Sequence, residues 1–415
     1  MTTAPITSPG FDLTDPDVNQ AGVPHDEFRA LRASAPVSWV EQEPAALAGM
    51  SDAAGTGYWA VTKHADVAAV SKNSKVFSSR ENGVIIRNPV TATRESVEMT
   101  QVVIINQDAP EHTQLRSIVS RGFTPRAIGA LEAGLEECAR RIVAEAVATG
   151  SGDFVDQVAA QFPLEVIGDM LGIPADDRRK IFDWTNQMTG ADDADLARED
   201  NDPAAAAAEL LMYSMVLAAE RRESPSDDIV TKLVNADVDG RGLTDDEFGF
   251  FVIALAVAGN ETTRNATTHG LNAFFDHPDQ WDLWVKERPV TMIDEVIRWA
   301  TPVTSFQRTA LEDVELGGVQ IKAGQRVGLF YASANHDEDV FDDPYTFDIT
   351  RESNPHLAFG GHGAHYCIGA NLARTEIKLI FDALADLAPN IARTGEPSRM
   401  RSPWLNGIKT LPVTY

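Results

Sequence analysis

Cysteine is almost missing: Cys138 and Cys367 are the only two thiols in 415 residues. Two cysteines so far apart give no disulfide framework. Basic residues are also scarce, 35 Lys plus Arg against 62 Asp plus Glu. The resulting net charge of −27 argues against a nucleic-acid surface, so an acidic partner would need a local basic patch. No apolar run is long enough for a bilayer; the longest, Phe248 to Gly259, leads straight into "NETTRN". The N-terminal "MTTAPITSPGFDLTDPD" lacks a charged region followed by an apolar core, so neither signal peptide nor anchor is expected. The expectation is a soluble, cytoplasmic protein.

What is present is mostly helical pattern. From Thr113 to about Thr301 apolar residues recur at three and four, with breaks at prolines such as Pro125, Pro163, Pro174 and Pro278. "GYWAVTKHADVAAV" reads as a strand running into a helix, and "DVELGGVQIKAGQRVGLFY" as short strands with glycine turns. Glu81 to Glu98 has no period and reads as a long loop, a frequent home of function. No linker divides the chain, so one large domain is expected, mainly α with a minor β portion.

Cys367 sits in "HLAFGGHGAHYCIGANLAR", among glycines 360, 361, 363 and 369 and just before a helical pattern through Ile377, Ile380, Phe381, Leu384 and Leu387. A thiol at a helix N-terminus is favoured as thiolate, and glycines let a flat ligand approach the backbone. Three readings compete: a nucleophile with His365 as base, a zinc ligand with His362 and His365, and a haem ligand. Zinc lacks a fourth ligand at customary spacing. An inert cysteine in a turn is the plain alternative.

Three further stretches bear on the choice. "LTDDEFGFFVIALAVAGNETTRNATTHGLNAFFDHP" reads as one helix on the order of 50 Å long, with a Thr244/Glu247 capping box at its start and Pro278 at its end. In its middle Ala258, Glu261 and Thr262 share a face, and Gly259 with the Thr262 hydroxyl favours a local opening for water and protons. In "TMIDEVIRWATPV", Glu295 and Arg298 are three apart, by themselves an ordinary surface pair. His112 and Arg116 are four apart at a helix start and suit an anion gripped from one side.

In this order, over essentially the whole chain, these pieces resemble the cytochrome P450 family of haem-thiolate monooxygenases. The resemblance implies one P450 domain over residues 1–415, with haem b between the long central helix and the helix after the cysteine loop. It implies Cys367 as axial thiolate to iron, and His112, Arg116, Arg308, His365 and Gly369 as the haem's other contacts. Glu261 and Thr262 match the family's acid-alcohol pair that relays protons to dioxygen. Glu295, Arg298 and Arg351 match its buried structural network. One departure is plain: Gly360 stands seven residues before the cysteine, where the family usually has Phe, and Phe359 is shifted by one.

"AVAGNETTRN", "AFGGHGAHYCIGANLAR", "RWATPVTSFQRTA" and "RSPWLNGIK" are further similar to the actinobacterial sterol-oxidising branch. That branch hydroxylates the terminal methyl of the side chain of cholesterol or cholest-4-en-3-one, and on to the acid, in steroid catabolism. Ile85, Ile86, Val257, Phe306 and Trp404 are the expected walls of a narrow apolar channel. The resemblance also implies a monomer supplied with electrons from NAD(P)H through a ferredoxin and its reductase, the ferredoxin docking near Arg121, Arg126 and Arg374. Competing readings are hydroxylation of a bulky secondary metabolite such as a macrolide, and a haem sensor without turnover.

Overall fold

The computed structural model describes residues 9–47, 54–90, 92–190, 192–196, 203–226, 229–236 and 242–415. The first eight residues of the N-terminal segment read above, and Thr91 of the long loop, lie outside them. A five-stranded sheet comprises β1 (Val37–Glu41), β2 (Gly57–Val61), β3 (Phe77–Ser78), β4 (Ser305–Ala310) and β5 (Arg326–Phe330), in the order β1-β2-β5-β4-β3. β2 and β5 run parallel, with Trp59 opposite Val327, and the other neighbours are antiparallel. The expected strand-to-helix passage holds: β2 feeds α1 (His64–Lys72).

The helices that position the site follow in chain order. They are α2 (Glu111–Val119), α3 (Pro125–Thr149), α4 (Gln161–Leu171), α5 (Ala175–Thr189), α6 (Pro203–Glu223), α7 (Asp245–Asp276), α8 (Met292–Ala300) and α9 (Ala370–Leu387). α3 begins where the Thr124 hydroxyl accepts from the Ala127 amide and Pro125 fills the first turn; it ends at left-handed Gly150. α7 carries the expected capping box, with Asp245, Asp246 and Glu247 complementing its dipole. Its 32 residues cross the molecule and pack against α4, α6, α8 and α9. One apolar cluster draws buried side chains from Leu115 through to Val413.

One expectation changes. At the end of the stretch read as a long loop, Arg94–Met99 is helical, started by a Thr93/Ser96 capping box too short for periodicity to reveal. The Glu295–Arg298 pair is buried, as the resemblance implied and the spacing alone did not: neither side chain has any exposure. Arg351 and Asn354 add donors to Glu295 at 3.2 and 3.0 Å, as does the Asp348 amide at 3.0 Å. Arg298 in turn donates to the carbonyls of Asn335 and Pro344, both at 2.9 Å. The pair thus pins α8 to the irregular segment that leads to the cysteine loop. Among the described residues, no helix is long and apolar enough to cross a membrane.

Candidate active site

The cysteine loop is shaped by backbone requirements. The Gly360 amide donates to Leu357 O at 2.8 Å with φ at +93°, a conformation that side chains resist. A phenylalanine in that conformation would be strained. The Cys367 amide then returns to Phe359 O at 2.9 Å, and the displaced Phe359 ring lies 4.7 Å under the Arg374 guanidinium. Gly361 and Gly363 line the cavity beside the thiol, and they also back onto α1. A β-carbon on Gly363 would sit 1.7 Å from Ser71 O, and one on Gly361 would sit 2.5 Å from the Ser71 side chain.

The Cys367 thiol has open surface, but that surface faces an internal cavity of about 440 Å³ rather than bulk water. Burial pushes the thiol above its ordinary value, opposed by the Gly369 amide, Arg116 and Arg374. Iron bound at the sulfur would favour the thiolate against that burial.

Across the cavity stands α7. Thr262 Oγ1 donates to Ala258 O at 2.5 Å, as the spacing suggested, and both residues line the cavity. The helix stays continuous there, so the expected opening is absent. Gly259 has another task, because a β-carbon would lie 2.7 Å from Ile167 Cδ1 of α4. Buried Glu261 accepts from the Arg264 guanidinium and from Asn265 Nδ2 at 2.9 Å. Arg264 is steadied by Asn186 of α5 at 3.1 Å. These partners were not singled out in the sequence, although they stand at i+3 and i+4 from Glu261, where a signal was available.

At the cavity's edge His112, Arg116, Arg308 and His365 come together. The two imidazoles lie 4.1 Å apart, and His365 Nε2 meets Ser79 Oγ at 3.0 Å. Burial and then Arg116 hold His112 down to about 4, and burial with Arg308 holds His365 down to about 2. Buried Arg308 donates only to the neighbouring Gln307 carbonyl, and His112 Nε2 is buried with no partner. Arg116 donates to Tyr366 O. Among the described residues none of the four forms an ion pair. Cationic and imidazole donors gathered without a carboxylate partner, one ring nitrogen orphaned, fit the two carboxylates of a haem whose iron meets Cys367.

Ile85, Val257, Phe306 and Trp404 line the cavity as expected, and Phe306 and Trp404 stack with centroids 6.0 Å apart. Ile86 does not. In this irregular segment its side chain packs into a core cluster with Tyr58 and Phe330, and its carbonyl accepts from Arg326. Gly369 lines the cavity beside the thiol and caps α9. Of the docking candidates, Arg121 and Arg126 are exposed, while Arg374 is tied to Asp294 at 2.8 Å.

The family model described as Cytochrome P450 matches residues 290–384. The chain is 59% identical to a Steroid C26-monooxygenase of Rhodococcus jostii (strain RHA1), over 98% of this chain and 85% of that one. It is 56% identical to a Steroid C26-monooxygenase of Mycobacterium tuberculosis (strain ATCC 25618 / H37Rv), over 99% and 94%. Among solved structures, Mycobacterium marinum cytochrome P450 CYP268A2 in complex with pseudoionone superposes with a TM-score of 0.90. It is 39% identical and covers all of both chains.

Proposed function

The chain belongs to the cytochrome P450 family of haem-thiolate monooxygenases, and from that premise we propose that it hydroxylates the terminal methyl of a sterol side chain. The observation that carries the reading is that Cys367 and Thr262 line one cavity together with the apolar side chains of Ile85, Val257, Phe306 and Trp404. The similarity to two Steroid C26-monooxygenases over nearly the full chain supports it.

Cys367 would hold the haem iron, with Arg116, Arg308, His112 and His365 on its carboxylates. When bound, haem activates dioxygen, one atom of which enters a C–H bond while the other leaves as water. The chain's residues do the rest. Apolar walls exclude water and present only the end of an extended aliphatic chain. The Thr262 hydroxyl, held by Ala258 O, is a proton donor facing the cavity, and Glu261 replenishes it.

In this reading the substrate is cholesterol or cholest-4-en-3-one, with oxidation continuing to the acid in steroid catabolism. The enzyme works as a one-domain monomer in the cytoplasm and receives electrons from NAD(P)H through a ferredoxin and its reductase. Exposed Arg121 and Arg126 offer the acidic ferredoxin a local positive surface. Incubation with cholest-4-en-3-one, a ferredoxin, its reductase and NAD(P)H should yield the terminal alcohol. Oxidation confined to the ring system would contradict the assignment.

A further inference from the structure

The hairpin that carries Trp404 is bonded to the acid on α7. Ser398–Arg399 pairs with Ile408–Thr410, and the Met400 amide donates to Gly407 O at 2.9 Å. The loop between them places Trp404 in the cavity, stacked on Phe306. Asn265, fully buried on α7, reaches both sides. Its Nδ2 donates to Glu261 Oε1 at 2.9 Å, and its Oδ1 accepts from the Ile408 amide at 3.3 Å. Gly407 permits the approach: a β-carbon there would lie 3.4 Å from Asn265 Oδ1 and 2.8 Å from Met400 Cβ. One turn further along α7, His269 Nε2 meets Asn406 O at 3.0 Å, so the hairpin is seated on α7 at two places.

We propose that Asn265 is a positioning residue that makes the placement of the Glu261 carboxylate depend on what rests against Trp404. A side-chain amide is the one group here that can donate to the carboxylate and accept from the hairpin at once. Its two bonds share one rigid plane, so a shift of Ile408 turns the amide and moves the donor on Glu261. A substrate lying against Trp404 biases the hairpin, and the acid's hydrogen bonding follows. The purpose is economy of reductant: protons are delivered in the productive arrangement only when the apolar wall is occupied. The inference rests on the reading of Glu261 as proton source.

The test is infrared difference spectroscopy of the haem-loaded protein with and without cholest-4-en-3-one, alongside turnover. The parent should show a sterol-induced change in a carboxylate band that Glu261→Gln removes. In Asn265→Leu the sterol should still bind, with Kd within about threefold of the parent by the Soret shift, but the Glu261 band should no longer respond. Asn265→Ala removes both bonds without adding bulk or charge and guards against misfolding in the leucine variant. It should bind sterol normally yet pass at least about threefold more of its electrons to peroxide than the parent. A Glu261 band that still responds in Asn265→Leu, or parental coupling in Asn265→Ala, overturns the link. Full coupling in Glu261→Gln instead overturns the underlying proton assignment, and a parent Soret band that ignores the sterol overturns the substrate assignment.

Discussion

Arg298 Nε and Nη2 donate to the two oxygens of Glu295 at 2.8 and 2.7 Å, and neither side chain is exposed. A bidentate ion pair without water is held by its surroundings as much as by itself, and it leaves a costly orphan when one member is removed.

Arg298→Met should therefore lower stability by about 3–5 kcal/mol, because the Glu295 charge stays buried with only Arg351 left to oppose it. Urea unfolding monitored by circular dichroism checks this. Haem content after purification should fall in parallel, since the pair anchors the segment leading to the cysteine loop.

Gly363→Ala should be as damaging without touching a charge. The new methyl would overlap Ser71 O, 1.7 Å away, and the loop would have to leave α1. A loss of roughly 3 kcal/mol is expected, read as a lower unfolding midpoint. Gly369→Ala, whose β-carbon meets only the Cys367 sulfur at 4.0 Å, should be better tolerated for folding.

Thr262→Ala removes the hydroxyl that faces the cavity but leaves the helix its backbone bonds. NAD(P)H consumption should continue while product falls by about tenfold or more and peroxide accumulates. Unchanged coupling would take Thr262 out of the mechanism.

Acid should loosen the hairpin. Burial, reinforced by Arg399, holds His269 down to about 3. The unfolded chain takes up that proton near the ordinary histidine value of 6.5, so below it the unfolded state binds more protons. The His269 contribution is thus full above about pH 6.5 and is lost as pH falls towards 3, by about 1.4 kcal/mol per pH unit at most. Thermal melts from pH 7 downward should show a decline to which depressed His112 and His365 also contribute, and His269→Gln should make it shallower.

Much of the site was legible because its parts are local. The capping box, the length of α7, the Thr262–Ala258 bond and the approach of His112 to His365 follow from short-range spacing or from recognisable motifs. Contacts set by tertiary packing were not legible. Ile85 and Ile86 are equivalent as sequence, and only the tertiary packing of Ile86 against Tyr58 and Phe330 decides which one meets the cavity. Gly259, Gly361 and Gly363 line the cavity, but their second task, making room for a neighbouring helix, was not legible. The thiol's raised value also escaped a local argument, because desolvation by the whole loop outweighs one helix terminus.

The most direct test of the account is a titration of the purified ferric protein with cholest-4-en-3-one, following the Soret band, with a macrolide as comparison. The account predicts a saturable low-spin to high-spin shift with the sterol and none with the macrolide. A normal haem-thiolate spectrum that responds to the macrolide and ignores the sterol would contradict the substrate assignment while leaving Cys367 as the iron ligand.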